Sequence, residues 1–400
     1  MSTLFKKDKA TGDLAIKETS FGRHSWKLGL GFHAVSPDSK HFAYFHERSG
    51  EWTVLADGIV RASKHEYIGE HSLTYSPDSK HLAYVAGRGG KQFVVIDGVE
   101  DKGYDGINSF IFSPNSNRYA YCARVGNQWT AIVDETHAEY YDGTAGIIFH
   151  PDSTRFAYAA QRGDKWFVVF DGIEGKEYWG IADIVFGSDG KTLAYMARNM
   201  NKKWSVVVNG VEGPEYDGLA SLVCRPGSRS VAYMAFRRQR WVVVSNGAEG
   251  EEYDTLGEGS LLFSPDGKRM AYGAKRLGKW RIVLDHVSMG YKGVGSLVFS
   301  PDSQHFAHCA THDVKEFVVR DGIEEQLKAD GVAHPVFSPD GRHLAYTASR
   351  EGNLSIVVDN SEAGKYFGLL YGSHLIFDQP RHLHTLAIKH GEILLVECGF

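Results

Sequence analysis

The chain has few cysteines, few prolines and no long apolar run. Its four cysteines, Cys122, Cys224, Cys309 and Cys398, lie far apart and form no C-x-x-C pair. That spacing argues against a disulfide framework and fits a reducing compartment. Each lies in an apolar, strand-like stretch and reads as a small buried hydrophobe. No run of about 18 apolar residues occurs, so no membrane-spanning helix is expected. No apolar stretch follows Lys6 and Lys7, so no secretory signal is expected and the chain reads as cytoplasmic. A net charge of −5 argues against a generally basic nucleic-acid binder, though it leaves room for a basic patch. G-x-S-x-G, Walker-type, H-E-x-x-H and dinucleotide-binding motifs are all missing. The glycines of Gly257-Glu-Gly-Ser and Gly293-Val-Gly-Ser read as turn residues. No cofactor and no metal centre are expected.

What is present is glycine, 45 residues in 400, together with only 11 prolines. That balance points to many tight turns, not to a disordered linker. The turns recur. Ser-Pro-Asp, or a variant of it, is followed each time by Leu-Ala-Tyr or a close relative. Copies begin at Ser36, Ser76, Ser113, His150, Ser264, Ser300 and Ser338, with degenerate ones at Gly187 and Arg225 and a weak one near Asp378. Successive steps are about 38 residues, and no break in composition interrupts them. Internal repetition of this kind outranks a domain count taken from length.

One unit shows the pattern. Ser260 to Phe263 is a short apolar run, and Ser264-Pro-Asp-Gly-Lys is a turn. Met270 to Ala274 and Trp280 to Leu284 are further strand-like runs. The next turn is Asp-Gly or Asn-Gly in sister units, at Asp97, Asp171, Asn209, Asn246 and Asp321. Such a pair between strand runs predicts a tight hairpin with φ > 0 at both residues. A more polar fourth strand ends in a Tyr-Asp-Gly corner, as at Tyr104, Tyr141 and Tyr216. Each unit therefore predicts a four-stranded antiparallel meander, which is a propeller blade. The expected fold is all-β: a single closed propeller of ten blades over 22–400, with 1–21 as an N-terminal tail. The last unit has only three strands. The N-terminal segment, where His24-Ser-Trp-Lys-Leu-Gly matches the corner motif, is expected to supply the fourth and so remove an open edge.

The Ser-Pro-Asp…Leu-Ala-Tyr unit resembles the WD-repeat-like propeller repeat of the TolB type, also found in the propeller domains of oligopeptidases. The resemblance covers about 22–400, but the Gly-His and Trp-Asp pairs of true WD repeats are absent. It implies a propeller fold and, for function, a binding platform. TolB proteins carry an export signal and an extra N-terminal domain, and oligopeptidases a hydrolase domain. None of these is read in this chain.

Charge suggests where binding would occur. The second-to-third loops are rich in cations: Arg88, Lys91, Arg124, Arg162, Lys165, Arg198, Lys202, Lys203, Arg237, Arg238, Arg240, Lys275, Arg276 and Lys279. The third-to-fourth turns carry Glu100, Asp101, Glu174, Glu212, Glu249 and Glu324, so opposite rims are expected to differ in sign. Corner carboxylates Asp105, Asp142, Asp217 and Asp254 fall on the basic rim, where pairing with the cations is expected. Arg162, Arg198, Lys202, Lys203, Arg237, Arg238, Arg240, Lys275 and Arg276 form the candidate docking surface. Trp179 and Phe367, which replace the corner aspartate in their units, are candidate aromatic contacts. The leading functional reading is a non-catalytic interaction scaffold for a protein partner, an acidic one by charge. Nucleic acid or another polyanion is the lesser partner. Alternatives are a lactonase-like or small-molecule-binding propeller, with Arg198, Arg237 and Asp217 as suspects, and a ring that self-assembles by stacking basic rim on acidic rim.

The histidines and aromatics read more plainly. His41, His81, His305 and His343 share one repeat position and read as solvated surface, too far apart for a common metal. His382 and His384 share a strand face. Trp52, Phe93, Trp129, Trp166, Trp204, Trp241, Trp280 and Phe317 open the third strand and read as packing residues.

Overall fold

In a computed structural model the chain is all-β and builds ten antiparallel sheets, the blades of a ten-bladed β-propeller. The structure describes residues 3–5, 14–23, 33–61, 65–285 and 287–400. Blades 1 to 10 span 33–60, 67–100, 106–141, 143–174, 180–212, 218–249, 255–291, 293–324, 331–366 and 368–399. Contacts gather blades 1 to 6 into one compact unit and blades 7 to 10, with the N-terminal strand, into another.

Blades 1 to 9 are meanders, first strand to fourth in chain order. Blade 4 runs Gly143–Phe149, Phe156–Arg162, Lys165–Phe170 and Ile173–Glu174. The Asp-Gly and Asn-Gly turns have the required geometry, with φ of 54° and 77° at Asp171 and Gly172 and 49° and 82° at Asn209 and Gly210. In blades 3 to 6, 8 and 9 the first strand is bulged, with a left-handed residue such as Ser109, Asp183 or Ser221 at the irregularity. In blades 2, 7 and 10 it breaks into two short pieces. In blades 2 and 7 a serine bridges the gap: Ser72 and Ser260 each accept a second-strand N–H and donate to a glycine carbonyl.

The repeat motif explains the packing. The alanine of Leu-Ala-Tyr, Ala83, Ala120, Ala157, Ala194, Ala232, Ala271, Ala307 or Ala345, is fully buried. A larger side chain there would overpack a blade–blade interface. The core lies between neighbouring sheets, as where Tyr141 and Ile147 pack with Tyr158 and Phe167. The Ser-Pro-Asp turn does two tasks. Its serine side chain closes the turn: Ser76 Oγ donates to Asp78 (2.6 Å) and accepts the His81 N–H (2.9 Å). Its fourth residue reaches to the neighbouring blade, so Ser79 Oγ accepts the Asp38 N–H and Ser116 Oγ the Asp78 N–H, both at 3.0 Å.

The last blade is completed as the sequence implied. Ala15–Arg23 pairs antiparallel with Glu392–Gly399, placing Ile16 against the core of blades 9 and 10. The strand begins inside the stretch 1–21 read as a tail, and the motif at His24 lies outside the described residues.

The aromatic reading needs one correction. Trp52, Trp166, Trp204 and Trp241 pair with the residue at the corner-tyrosine position and are half-buried; Gln92 and Glu316 hold that place in blades 2 and 8. Phe93 and Phe317 stand one residue later. In a strand that step reverses the face, and both point into the core. Of the cysteines, Cys122, Cys309 and Cys398 are buried and Cys224 is half-buried, all four as free thiols.

Candidate functional site

Two sets of turns bound each blade. On one, the four histidines are not free surface groups. His41, His81, His305 and His343 each contact the aspartate of the third-to-fourth turn, at 2.8, 2.7, 2.7 and 2.5 Å. Arg118 and Arg269 do the same with Asp134 and Asp285. The other oxygen of each aspartate accepts the N–H that opens the second strand, as Asp97 does for Leu82. These are fasteners of the hairpin, and Asp57 holds the His41 pKa above its ordinary value. His382 and His384 both turn to Asp378.

The other set joins the second-to-third hairpins to the corners. Each corner residue donates its N–H to the end of the next blade's second strand: Asp142 to Gln161 (2.9 Å), Trp179 to Arg198 (2.8 Å), Asp330 to Ser349 (2.9 Å) and Phe367 to Ile388 (2.7 Å). The corner carboxylate then accepts the first N–H of the next blade's hairpin. Asp105 takes Gly126 (2.8 Å), Asp142 takes Gly163 (2.7 Å), Asp254 takes Leu277 (2.7 Å) and Asp330 takes Glu351 (3.0 Å). At four corners a lysine or arginine at the start of the third strand completes the set, giving the pairs Lys91–Asp105, Lys203–Asp217, Arg240–Asp254 and Lys315–Asp330, whereas Gln128 stands at that position before Asp142. These donors hold Asp105, Asp217 and Asp330 below the usual carboxylate range, the lysine first and the backbone N–H next.

The expected segregation of charge is corrected here. The fourth-strand glutamates reach back to the basic side. Arg88 holds Glu100, Arg162 holds Glu174, Arg237 holds Glu249 and Arg350 holds Glu362. The guanidinium crosses the intervening strand over an aromatic ring, Phe93 for Arg88 and Phe167 for Arg162. A second donor comes from the preceding blade. Tyr141 Oη donates to Glu174, Tyr178 to Glu212 and Tyr216 to Glu249. Both signs of charge therefore meet on one rim.

Of the nine cations proposed from sequence, most are committed to the frame. Arg162, Lys203, Arg237 and Arg240 are paired as above, and Arg276 holds Glu251. Arg198 lies against Trp204 and donates to the Trp179 carbonyl. The suspects of the enzyme reading, Arg198, Arg237 and Asp217, thus all have framework partners. Among the described residues the Lys275 side chain meets only the Trp280 ring. Lys202 and Arg238 have exposed side chains with no partner among the described residues. The blade 5 loop that carries Lys202 is ordered by Asn199, whose side chain accepts the Asn201 and Lys203 N–H groups and donates to Glu215. Met200 stands out from it, 73% exposed.

Trp179 and Phe367 differ from each other. Lys165, freed of a corner aspartate, lies over the Trp179 ring at 3.4 Å from its centre. Trp179 is left 39% exposed, against 80% for Phe367, which borders a cleft of about 640 Å³. Sequence reading missed the glutamate–tyrosine bonds and the hairpin N–H groups that the corner aspartates hold; the recurrent Val-Glu and Ile-Glu pairs were their signal.

No protein-family model matches the chain, and no curated protein does. Solved structures do. One is a eukaryotic initiation factor, 12% identical over 81% of this chain and 94% of that one, with a TM-score of 0.47. The Dos1 propeller is 13% identical over 81% and 91%, with a TM-score of 0.37. The Cps50 (Swd1) β-propeller domain of Myceliophteria thermophila is 14% identical over 64% and 98%, with a TM-score of 0.31.

Proposed function

We propose that the protein is a non-catalytic interaction platform that docks an acidic protein partner on its second-to-third hairpins. The observation that carries this reading is local to blades 5 and 6. Most rim charges are neutralised by framework partners, yet Lys202 and Arg238 are exposed and uncommitted, and the exposed Met200 stands beside Lys202. Exposed cations on the hairpins of successive blades, without partners among the described residues, and an apolar side chain in the loop of one of them suit an acidic partner with an apolar anchor. Likeness of the repeat to the TolB-type unit fits the same role.

The test is capture from lysate by the wild-type protein and by a Lys202→Glu, Arg238→Glu double variant, at low and at high salt. The reading expects a stoichiometric protein partner that is weakened by salt and lost from the double variant. A partner retained equally by both proteins would contradict it.

A further inference from the structure

We infer that the cleft beside Phe367 binds an acidic peptide segment. The peptide carboxylate takes the place of a missing corner aspartate, and its apolar neighbour packs on the Phe367 ring. The inference rests on the platform reading for the kind of partner, but uses a different part of the rim.

The backbone shows what is missing. Phe367 donates to Ile388 as corner aspartates donate to the equivalent carbonyl, so it occupies their place in the frame. At those other corners the carboxylate accepts a hairpin N–H of the next blade, as Asp330 accepts that of Glu351. The equivalent donor in blade 10 is the N–H of His390, at the first left-handed position of the His390-Gly391 turn. No carboxylate of the described residues is bonded there. The cation that would accompany the carboxylate is also changed. Where blade 8 has Lys315, blade 9 has Asn353, whose amide, among the described residues, makes only a long bond of 3.4 Å to the Glu351 carbonyl.

Blade 4 provides the contrast. There the same exchange of aspartate for an aromatic is covered, because Lys165 lies over the Trp179 ring. Asn353 stands at the position of Lys165 and brings no cation over Phe367. The ring is left exposed, and a cleft of about 640 Å³ opens between it, Asn353, Lys365, Ile388 and His390. That volume is in the range of ligand sites. Its apolar surface comes from Phe367 and Ile388. Its donors are the His390 N–H and the Asn353 amide, and its charge is Lys365, exposed and without a partner among the described residues. Lys389, also on the wall, is committed to Glu18. A hairpin N–H that holds a carboxylate at every comparable aspartate corner, next to an exposed ring and a lysine without a partner among the described residues, selects an acidic residue beside an aromatic one.

The probe is a fluorescein-labelled hexapeptide with an Asp-Trp pair between Gly-Ser flanks, titrated with the full chain beside its Asn-Trp counterpart. Saturable binding to the wild type is expected, about tenfold weaker for the amide peptide. Phe367→Asp, which restores the corner carboxylate, should abolish binding while leaving the unfolding temperature unchanged or raised. Lys365→Glu, a surface change, should weaken binding at least fivefold and serves if the first variant fails to fold. Binding should be unchanged in the Lys202→Glu, Arg238→Glu variant, which separates this site from the hairpin surface. No saturable binding, equal affinity for both peptides, or undiminished binding by the variants at Phe367 and Lys365 would overturn the inference.

Discussion

The Tyr366 hydroxyl donates to the Glu18 carboxylate at 3.1 Å, joining the end of blade 9 to the N-terminal strand. Lys389 holds both oxygens of the same carboxylate, at 2.8 and 3.0 Å. This is the arrangement of Glu174 with Tyr141 and Arg162. Glu18, more than 300 residues away in sequence, therefore completes blade 10 as a fourth-strand glutamate does elsewhere.

Replacing Glu18 tests that relationship. Glu18→Ala removes the acceptor of one phenol and one ammonium and is expected to cost about 1–3 kcal/mol in urea unfolding. Deleting residues 1–23 should do more, because it bares the Glu392–Gly399 edge. Loss of stability with concentration-dependent association is expected, read by thermal unfolding and light scattering.

The corner aspartates carry a pH dependence with a definite sign. Lys203 and the Arg238 N–H favour the charged form of Asp217, so its folded pKa lies below the ordinary 3.8. Their contribution to stability is complete above that value and is lost as pH falls through the lower, folded one. Amide chemical shifts at Gly126, Arg238 and Glu351 should titrate with midpoints below 3.8. The His390 amide, with no corner carboxylate, should lack that titration.

His308 stands where neighbouring blades have the buried tyrosine of Leu-Ala-Tyr, and neither ring nitrogen has a hydrogen-bond partner among the described residues. Burial lowers its pKa from 6.5 to about 4. The unfolded chain takes up a proton in that window and the folded one does not, so stability falls as pH drops from 6.5 to 4. A shift of this size is on the order of 3 kcal/mol. His308→Tyr, set against Tyr291 as Tyr272 is against Tyr253, should remove that slope from denaturation curves measured across the window.

Gly190 marks a blade contact that a side chain cannot enter. Its φ is +67°, and an added Cβ would meet the His150 ring at 2.4 Å. Its carbonyl accepts from His150 at 2.7 Å, where blades 1 to 4 use the serine link. Gly190→Ala should destabilise by about 2–4 kcal/mol. Gly210→Ala, with open space around it, should cost only the backbone strain of about 1 kcal/mol. Paired urea titrations of the two variants check the difference.

Much of this was legible in the chain. The blade count followed from the Ser-Pro-Asp repeat, because each copy closes one turn. The paired φ > 0 residues followed from Asp-Gly and Asn-Gly. The pairing of Asp105, Asp217 and Asp254 with cations followed from their place at the corners. The link from Ser79 to Asp38 was hidden because it joins turns of different blades. The reach of Glu174 to Arg162 was hidden for another reason: it crosses a strand, and assigning charges to turns placed the two on opposite rims. Phe93 was misphased by one residue, which in a strand is the difference between a half-buried face and the core. The exchange of Asp for Trp179 and Phe367 was visible, but the fate of each depended on Lys165 and Asn353.

Site-specific photo-crosslinking tests the platform reading most directly. A photoreactive residue replaces Met200, beside the uncommitted cation Lys202, or Val211, an exposed side chain on the outer strand of the same blade. Irradiation in lysate should join one acidic protein to the Met200 variant, with loss of the product when Lys202 and Arg238 are reversed, and none to the Val211 variant. Products of equal yield and identity from both positions, indifferent to the charge reversal, would contradict a docking surface on these hairpins.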